Sequence, residues 1–416
     1  MRGSTLIAAV SFALLGSEAG AVDRPSTLQA RLAEVRTSLT VDDRGFGGPG
    51  ADILARAVAS ARYVLIGEDH LTREIPRFTA DLCRFMAPQG LTALAVEIGP
   101  EAAKVVDANL RRPDRRERIG SFMLAHPDAM AFQNGSDESD MAAACAQAAG
   151  PKFQLWGLDQ EFFGATGNLL ERMTAAHPGP IARAAIARLS ASERSATAAA
   201  LASGSPSNLL IFTITDEQLA DARAAIAKDG GARVQALFAA LEKTRTIYLG
   251  QNTDPYASNG ARARLMKRTL VDYFNNAAPE ARVLFKFGDT HMRKGVNGLG
   301  QRDLGNFVAE RADGDGVESL HLLVVGLRGT HAFYNGVGRQ VRHEPFVLTD
   351  DADFAWLKDA VPANGAASSD WTLLDLRALR GRQPRDISAT WKRIIEGFDM
   401  IVVAPDITPS DVLGAR

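Results

Sequence analysis

Tyr63-Val64-Leu65-Ile66-Gly67-Glu68-Asp69-His70 begins with an apolar run and ends on a glycine, two carboxylates and an imidazole. A short unbroken apolar run suits a strand buried on both faces, as in a parallel sheet covered by helices. The polar residues after it then fall at the strand's carboxyl end, where open α/β sheets bind their ligands. The same pattern recurs along the chain. Ala93–Glu97 ends on Glu97, and Gln154–Gly157 leads through Leu158 to Asp159-Gln160-Glu161. Thr246–Leu249 leads to Gly250-Gln251-Asn252, and Val283–Phe287 leads to Gly288-Asp289-Thr290-His291. Leu320–Val325 and Met400–Val403 complete the expected strands. The prediction is an α/β fold with a largely parallel central sheet flanked by helices.

Before the first of these strands, Leu28–Leu39 has the pattern of a polar amphipathic helix and Val41–Gly50 that of a Gly-rich loop. Between the third and fourth expected strands the chain is Ala-rich and helical, over about residues 165–245. This stretch is expected to be an insertion folded over the sheet within one α/β domain, residues 22–416. Residues 362–369 read as a polar loop of small residues. At the other end, Met1-Arg2, the apolar run Leu6–Leu15 and Ala19-Gly20-Ala21 read as a secretory signal peptide over residues 1–21. The mature protein is therefore expected in the periplasm or secreted. The run is too short for a stable membrane anchor.

Composition narrows the partners. Forty-seven Lys and Arg against 49 Asp and Glu leave a net charge of -2, without the basic excess of a dedicated nucleic-acid surface. A small-molecule substrate is expected, and the sequence is silent on oligomeric state. Cys83 and Cys145 are the only cysteines, which excludes a Cys-based zinc site. They are expected as two buried thiols, although an oxidising compartment would allow them to pair.

Five expected strand ends carry two histidines and several carboxylates, more than helix capping alone requires. A neutral histidine can take a proton from water, and a carboxylate can orient it and stabilise the imidazolium. Glu74 stands four residues after His70, on the same face if the chain is helical from Leu71. Glu68, His70, Glu97 and His291 could also hold a divalent metal, but with no His-Glu-x-x-His helix these ligands would have to be brought together from separate strands, which is the weaker reading. A Gly-x-Ser-x-Gly nucleophile elbow, a dinucleotide fingerprint and a P-loop are all absent from the sequence. His321, inside an apolar run, reads as a core histidine, and His126 and His177, each before a proline, as surface residues.

Residues 67–74, Gly-Glu-Asp-His-Leu-Thr-Arg-Glu, resemble the opening motif of the erythromycin-esterase-like proteins. Leu91–Glu97, Gly157-Leu158-Asp159, Arg262-Ala263-Arg264-Leu265-Met266 and Lys286–His291 are similar to its later segments, in the family's order. The resemblance implies an esterase-like hydrolase without a serine intermediate. His70 would activate water, with Glu68, Glu97, His291 and Glu74 in the catalytic group. Arg73, Arg262, Asp159 and Asp289 would contact the substrate, and no cofactor would be needed. The Glu68–His70 spacing is one residue shorter than in the esterases. It is similar to that of the haem-binding ChaN-like and metal-dependent Tiki-like members of the same superfamily. A haem- or iron-binding protein, with Tyr63 or Tyr256 near the site, and a metallopeptidase are the alternatives that follow.

Overall fold

The computed structural model describes residues 27–352, 354–361, 370–381 and 387–415. The expected leader at residues 1–21 and the segment 362–369 lie outside the described residues. Among the described residues eleven strands are formed: β1 (Arg36–Asp42), β2 (Gly45–Gly47), β3 (Ala61–Glu68), β4 (Leu91–Val96), β5 (Gln154–Gly157), β6 (Arg282–Gly288), β7 (Glu318–Gly326), β8 (Arg328–Phe333), β9 (Arg342–Val347), β10 (Asp370–Asp375) and β11 (Met400–Ala404). Nine of them make one sheet in the order β2-β1-β10-β11-β7-β3-β6-β4-β5, and β8 and β9 form a separate hairpin. The run from β11 to β5 is parallel, while β10, β1 and β2 add an antiparallel edge.

Strand side chains alternate between two hydrophobic cores. Val64, Ile66 and Leu284 face one core, which holds Ile75, Phe78 and Met141 from helices Glu74–Met86 and Ser136–Ala149. Tyr63, Leu65, Phe285 and Phe287 face the other, with Met266 and Leu270 of helix Pro255–Asn276 and Val308 of helix Leu304–Gly314. Both faces are buried, which is why the strands read as continuous apolar runs. Helices from Thr166 to Asn276 occupy the chain between β5 and β6, and many of them share a third core around Leu170, Ile186, Leu237 and Phe238.

Several sequence expectations are corrected. Thr246–Leu249 is the end of helix Gly231–Gly250, not a strand. The buried residues there are Val234, Leu237, Phe238, Leu241, Thr244 and Ile247, a helical spacing that a four-residue window does not show. The helix at Leu28 stops at Val35, and the chain continues as β1 to Asp42. Gly45–Gly47, inside the expected loop, pairs with β1 as a short edge strand. Cys83 and Cys145 are not free thiols but form a disulfide, with Cα atoms 5.1 Å apart. Among the described residues no helix is long and apolar enough to cross a membrane.

Candidate active site

β6 lies between β3 and β4, with β5 beyond, so four neighbouring parallel strands deliver their carboxyl ends to one place. In register, Ile66 faces Lys286 and Glu68 faces Gly288. Glu68 and Lys286 therefore project from the same sheet face as diagonal neighbours and form a buried ion pair. The Lys286 ammonium and the His70 ring both contact Glu68 Oε1, His70 through Nδ1 at 2.9 Å.

Glu97 is the hub. Its Oε1 accepts from Arg262 Nη2 at 2.7 Å and its Oε2 from the Gly288 amide at 2.7 Å. His70 Nε2 stands 3.4 Å from Oε2, and His291 Nε2 stands 3.4 Å from Oε1. Gly288 is glycine for a steric reason. A Cβ there would lie 3.0 Å from His70 Nε2 and 3.4 Å from Glu97 Oε2. The outer nitrogen of His291, Nδ1, is 2.8 Å from Asp303 Oδ2, and Asp303 also caps the helix that begins at Leu304. Arg262 reaches the site from helix Pro255–Asn276 and is fixed by Asp159, whose Oδ1 is 3.0 Å from Nε. The His70 ring stacks on Phe132, with centroids 3.7 Å apart and planes tilted by 14°.

Charge follows from this packing. Burial disfavours the cationic form of His70, but the Glu97 charge and the bonds to Glu68 and Glu97 outweigh it, raising the pKa to about 9. Burial acts the same way on His291, yet Glu97 and Asp303 lift it to about 10 against the opposing charge of Arg262. Burial alone would raise Glu97; His291 and His70 hold it well below the usual carboxylate range. Four carboxylates (Glu68, Glu97, Asp159, Asp303) thus meet four basic groups (His70, His291, Arg262, Lys286). Beside them lies a cavity of about 240 Å³ lined by Glu97, Asp159, Gln160 and Arg262, with Met130, Phe132, Phe162 and Tyr248 as its apolar wall.

No family profile matches the sequence, and no curated protein matches it. Solved structures do. A histidine-to-asparagine mutant of the erythromycin esterase EreC, in its open conformation, superposes with a TM-score of 0.62 over 91% of this chain and 99% of its own, at 15% identity. The chain has the erythromycin-esterase fold. A succinoglycan biosynthesis protein (TM-score 0.58, 15% identity) and a protein from Bacillus cereus (0.57, 13%) share it, each over 92% of this chain and 99% of theirs.

On the erythromycin-esterase fold, the sequence-selected residues divide into two groups. Glu68, His70, Glu97, His291, Asp159 and Arg262 form one connected set of ion pairs and hydrogen bonds. Asp289 sits at the rim of this set, its carboxylate turned to Arg293 Nη2 at 2.7 Å. Glu74 and Arg73 are occupied elsewhere. Glu74 accepts from the Thr408 amide at 2.8 Å and from its hydroxyl at 2.7 Å, while Arg73 pairs with Asp411 at 3.0 Å. The expected common helix face of His70 and Glu74 does not form, because the helix begins only at Glu74 and Leu71 has φ 62°. Tyr63 is buried against Phe274 and Phe285, and Tyr256 is exposed at the start of its helix. His321 is a buried core residue, as expected; His126 is half-buried and His177 exposed. Sequence reasoning assigned no role to Lys286, Asp303 or Phe132. A lysine inside the apolar run Val283–Phe287 was the available signal for the first; nothing local marks the other two.

Proposed function

We propose that the chain is a hydrolase that cleaves an ester or related acyl bond, with His70 as general base. The observation that carries this reading is the placement of one imidazole between two buried carboxylates, one of which, Glu97, lines a cavity. With Nδ1–H donating to Glu68, the lone pair of His70 lies on Nε2. That nitrogen takes a proton from water as the water oxygen attacks the acyl carbon. Negative charge grows on the acyl oxygen, where Arg262, which lines the cavity, is the available donor; the His291 cation, whose nitrogens face Asp303 and Glu97, adds only its charge. Nε and Nη2 of Arg262 are held by Asp159 and Glu97, so Nη1 is the nitrogen left for a substrate. As the tetrahedral adduct collapses, the proton passes to the departing alkoxide, giving an acid and an alcohol. The chain shares its fold with an erythromycin esterase, and the proposed reaction is of the same class.

A divalent ion is disfavoured by the chemistry of the donors. Glu68 carries Lys286, and Glu97 carries Arg262 and a backbone amide, so an ion would compete with fixed cations for both carboxylates. We further propose export, supported by the N-terminal sequence and by a disulfide that suits an oxidising compartment.

The test is His70→Asn against a panel of acyl esters, with metal content measured on the same sample. The expected result is at least about a hundredfold loss of kcat, a KM changed less than threefold, and unchanged metal content. Loss of a stoichiometric ion together with activity would replace the general base with a metal ligand.

A further inference from the structure

His70 is followed by a leucine in the left-handed region, Leu71 at φ 62°. A non-glycine residue there is strained and persists only where its surroundings impose it. The surroundings come from the far end of the chain. The Ser410 amide donates to the Leu71 carbonyl at 2.9 Å, and the Arg73 amide donates to the Thr408 carbonyl at 2.9 Å. The Glu74 carboxylate closes the same pairing by accepting both the amide and the hydroxyl of Thr408.

The same tail segment then binds the loop that carries Phe132. The Ser136 amide donates to the Asp411 carbonyl at 2.8 Å, and the Leu413 amide donates to that of Asn134 at 2.8 Å. The Ser410 hydroxyl, buried, lies 3.0 Å from both Asp137 Oδ2 and Glu138 Oε2. One short segment is thus hydrogen-bonded to the turn after His70 and to the loop whose phenyl ring stacks on His70.

We propose that residues 408–413 are a positioning strap that enforces the left-handed turn at Leu71 and thereby sets the His70 ring against Phe132 and Glu68. This rests on the reading of His70 as the reacting base. The strap touches no substrate; it acts through the turn. Residues 73 and 74, adjacent to the catalytic turn in sequence, hold the strap and not the reacting atoms.

The experiment removes the bond and then supplies the conformation by other means. Ser410→Pro lacks the amide that holds Leu71. Leu71→Gly makes a positive φ free of Cβ strain. Two readouts are taken on the full chain: kcat with an acyl ester, and the chemical shifts of the His70 ring protons, which stacking on Phe132 moves upfield. Ser410→Pro is expected to lower kcat at least about tenfold and return the ring protons toward unstacked positions. Leu71→Gly in that background is expected to restore most of both. Ser410→Ala, which keeps the amide but drops the anchors to Asp137 and Glu138, tests the same link if the proline variant fails to fold. It is expected to give a several-fold loss in the same direction. Unchanged ring shifts in the Ser410 variants, or no rescue by glycine, would overturn the strap. If the wild-type chain hydrolyses no ester, the hydrolase reading fails while the ring shifts still decide the strap.

Discussion

Lys286 shows how much of the site depends on single charges. Its ammonium and the Glu68 carboxylate are each about 1% exposed, and Glu68 in turn holds His70. Removing one member of a buried pair costs about 3–5 kcal/mol where the other charge is left unpaired; the His70 contact that stays on Glu68 makes this an upper bound here. Lys286→Met keeps most of the side-chain volume, so its effect isolates the charge. It is expected to lower unfolding free energy by up to that amount, read from the urea midpoint at constant m-value. Unfolding unchanged by the substitution would mean that Glu68 does not depend on the ammonium.

At the scale of elements, the sheet was legible because its strands are buried on both faces. β3, β4, β5, β6, β7 and β11 all contain the short apolar runs read from the sequence, and of the polar residues at their ends Glu68, His70, Glu97, Asp159 and His291 come together. The failures have one physical cause. Where an element is short, or half exposed, its local pattern is ambiguous and tertiary partners decide. β1 pairs with β10, about 330 residues away in sequence, and nothing near Arg36 announces that partner. The Thr246–Leu249 run is β-like in composition but is claimed by a helix whose buried positions extend back to Val234. Asp303 reaches His291 only because the Gly-rich connection between them folds back, which no periodicity encodes. The disulfide is another tertiary link of this kind, joining helix Glu74–Met86 to helix Ser136–Ala149 across 62 residues of chain. Replacing both cysteines by alanine is expected to cost about 2–4 kcal/mol of stability with little change in KM, by denaturant unfolding and steady-state kinetics. Identical stability in the oxidised wild type and the double variant would show that the cross-link contributes nothing.

For the whole molecule, export and chemistry make separate predictions. If the leader is removed as its sequence implies, protein recovered from the periplasm or medium begins at about Val22, by N-terminal sequencing. Full-length chain confined to the cytoplasm would contradict export. The chemistry depends on the summed field of the charged cluster, which alters the pH dependence expected of an ordinary histidine. Without neighbours, a histidine base would lose activity below about pH 6–7. Here His70 is held to about 9 and His291 to about 10. In the proposed mechanism His70 must be neutral to accept a proton, so only a small fraction of it is competent at pH 7. In the same mechanism His291 keeps its proton, and its charge favours the acyl oxyanion. The two histidines share Glu97, so the two limbs of the profile belong to the coupled pair. The decisive measurement is kcat/KM for one acyl ester from pH 5 to 11. The expected profile rises about tenfold per pH unit from 7 toward 9, peaks between about 9 and 10, and falls above. A profile that is level from pH 7 to 9, with its acid limb at 6–7, would contradict the account of His70 as a base held protonated by Glu68 and Glu97.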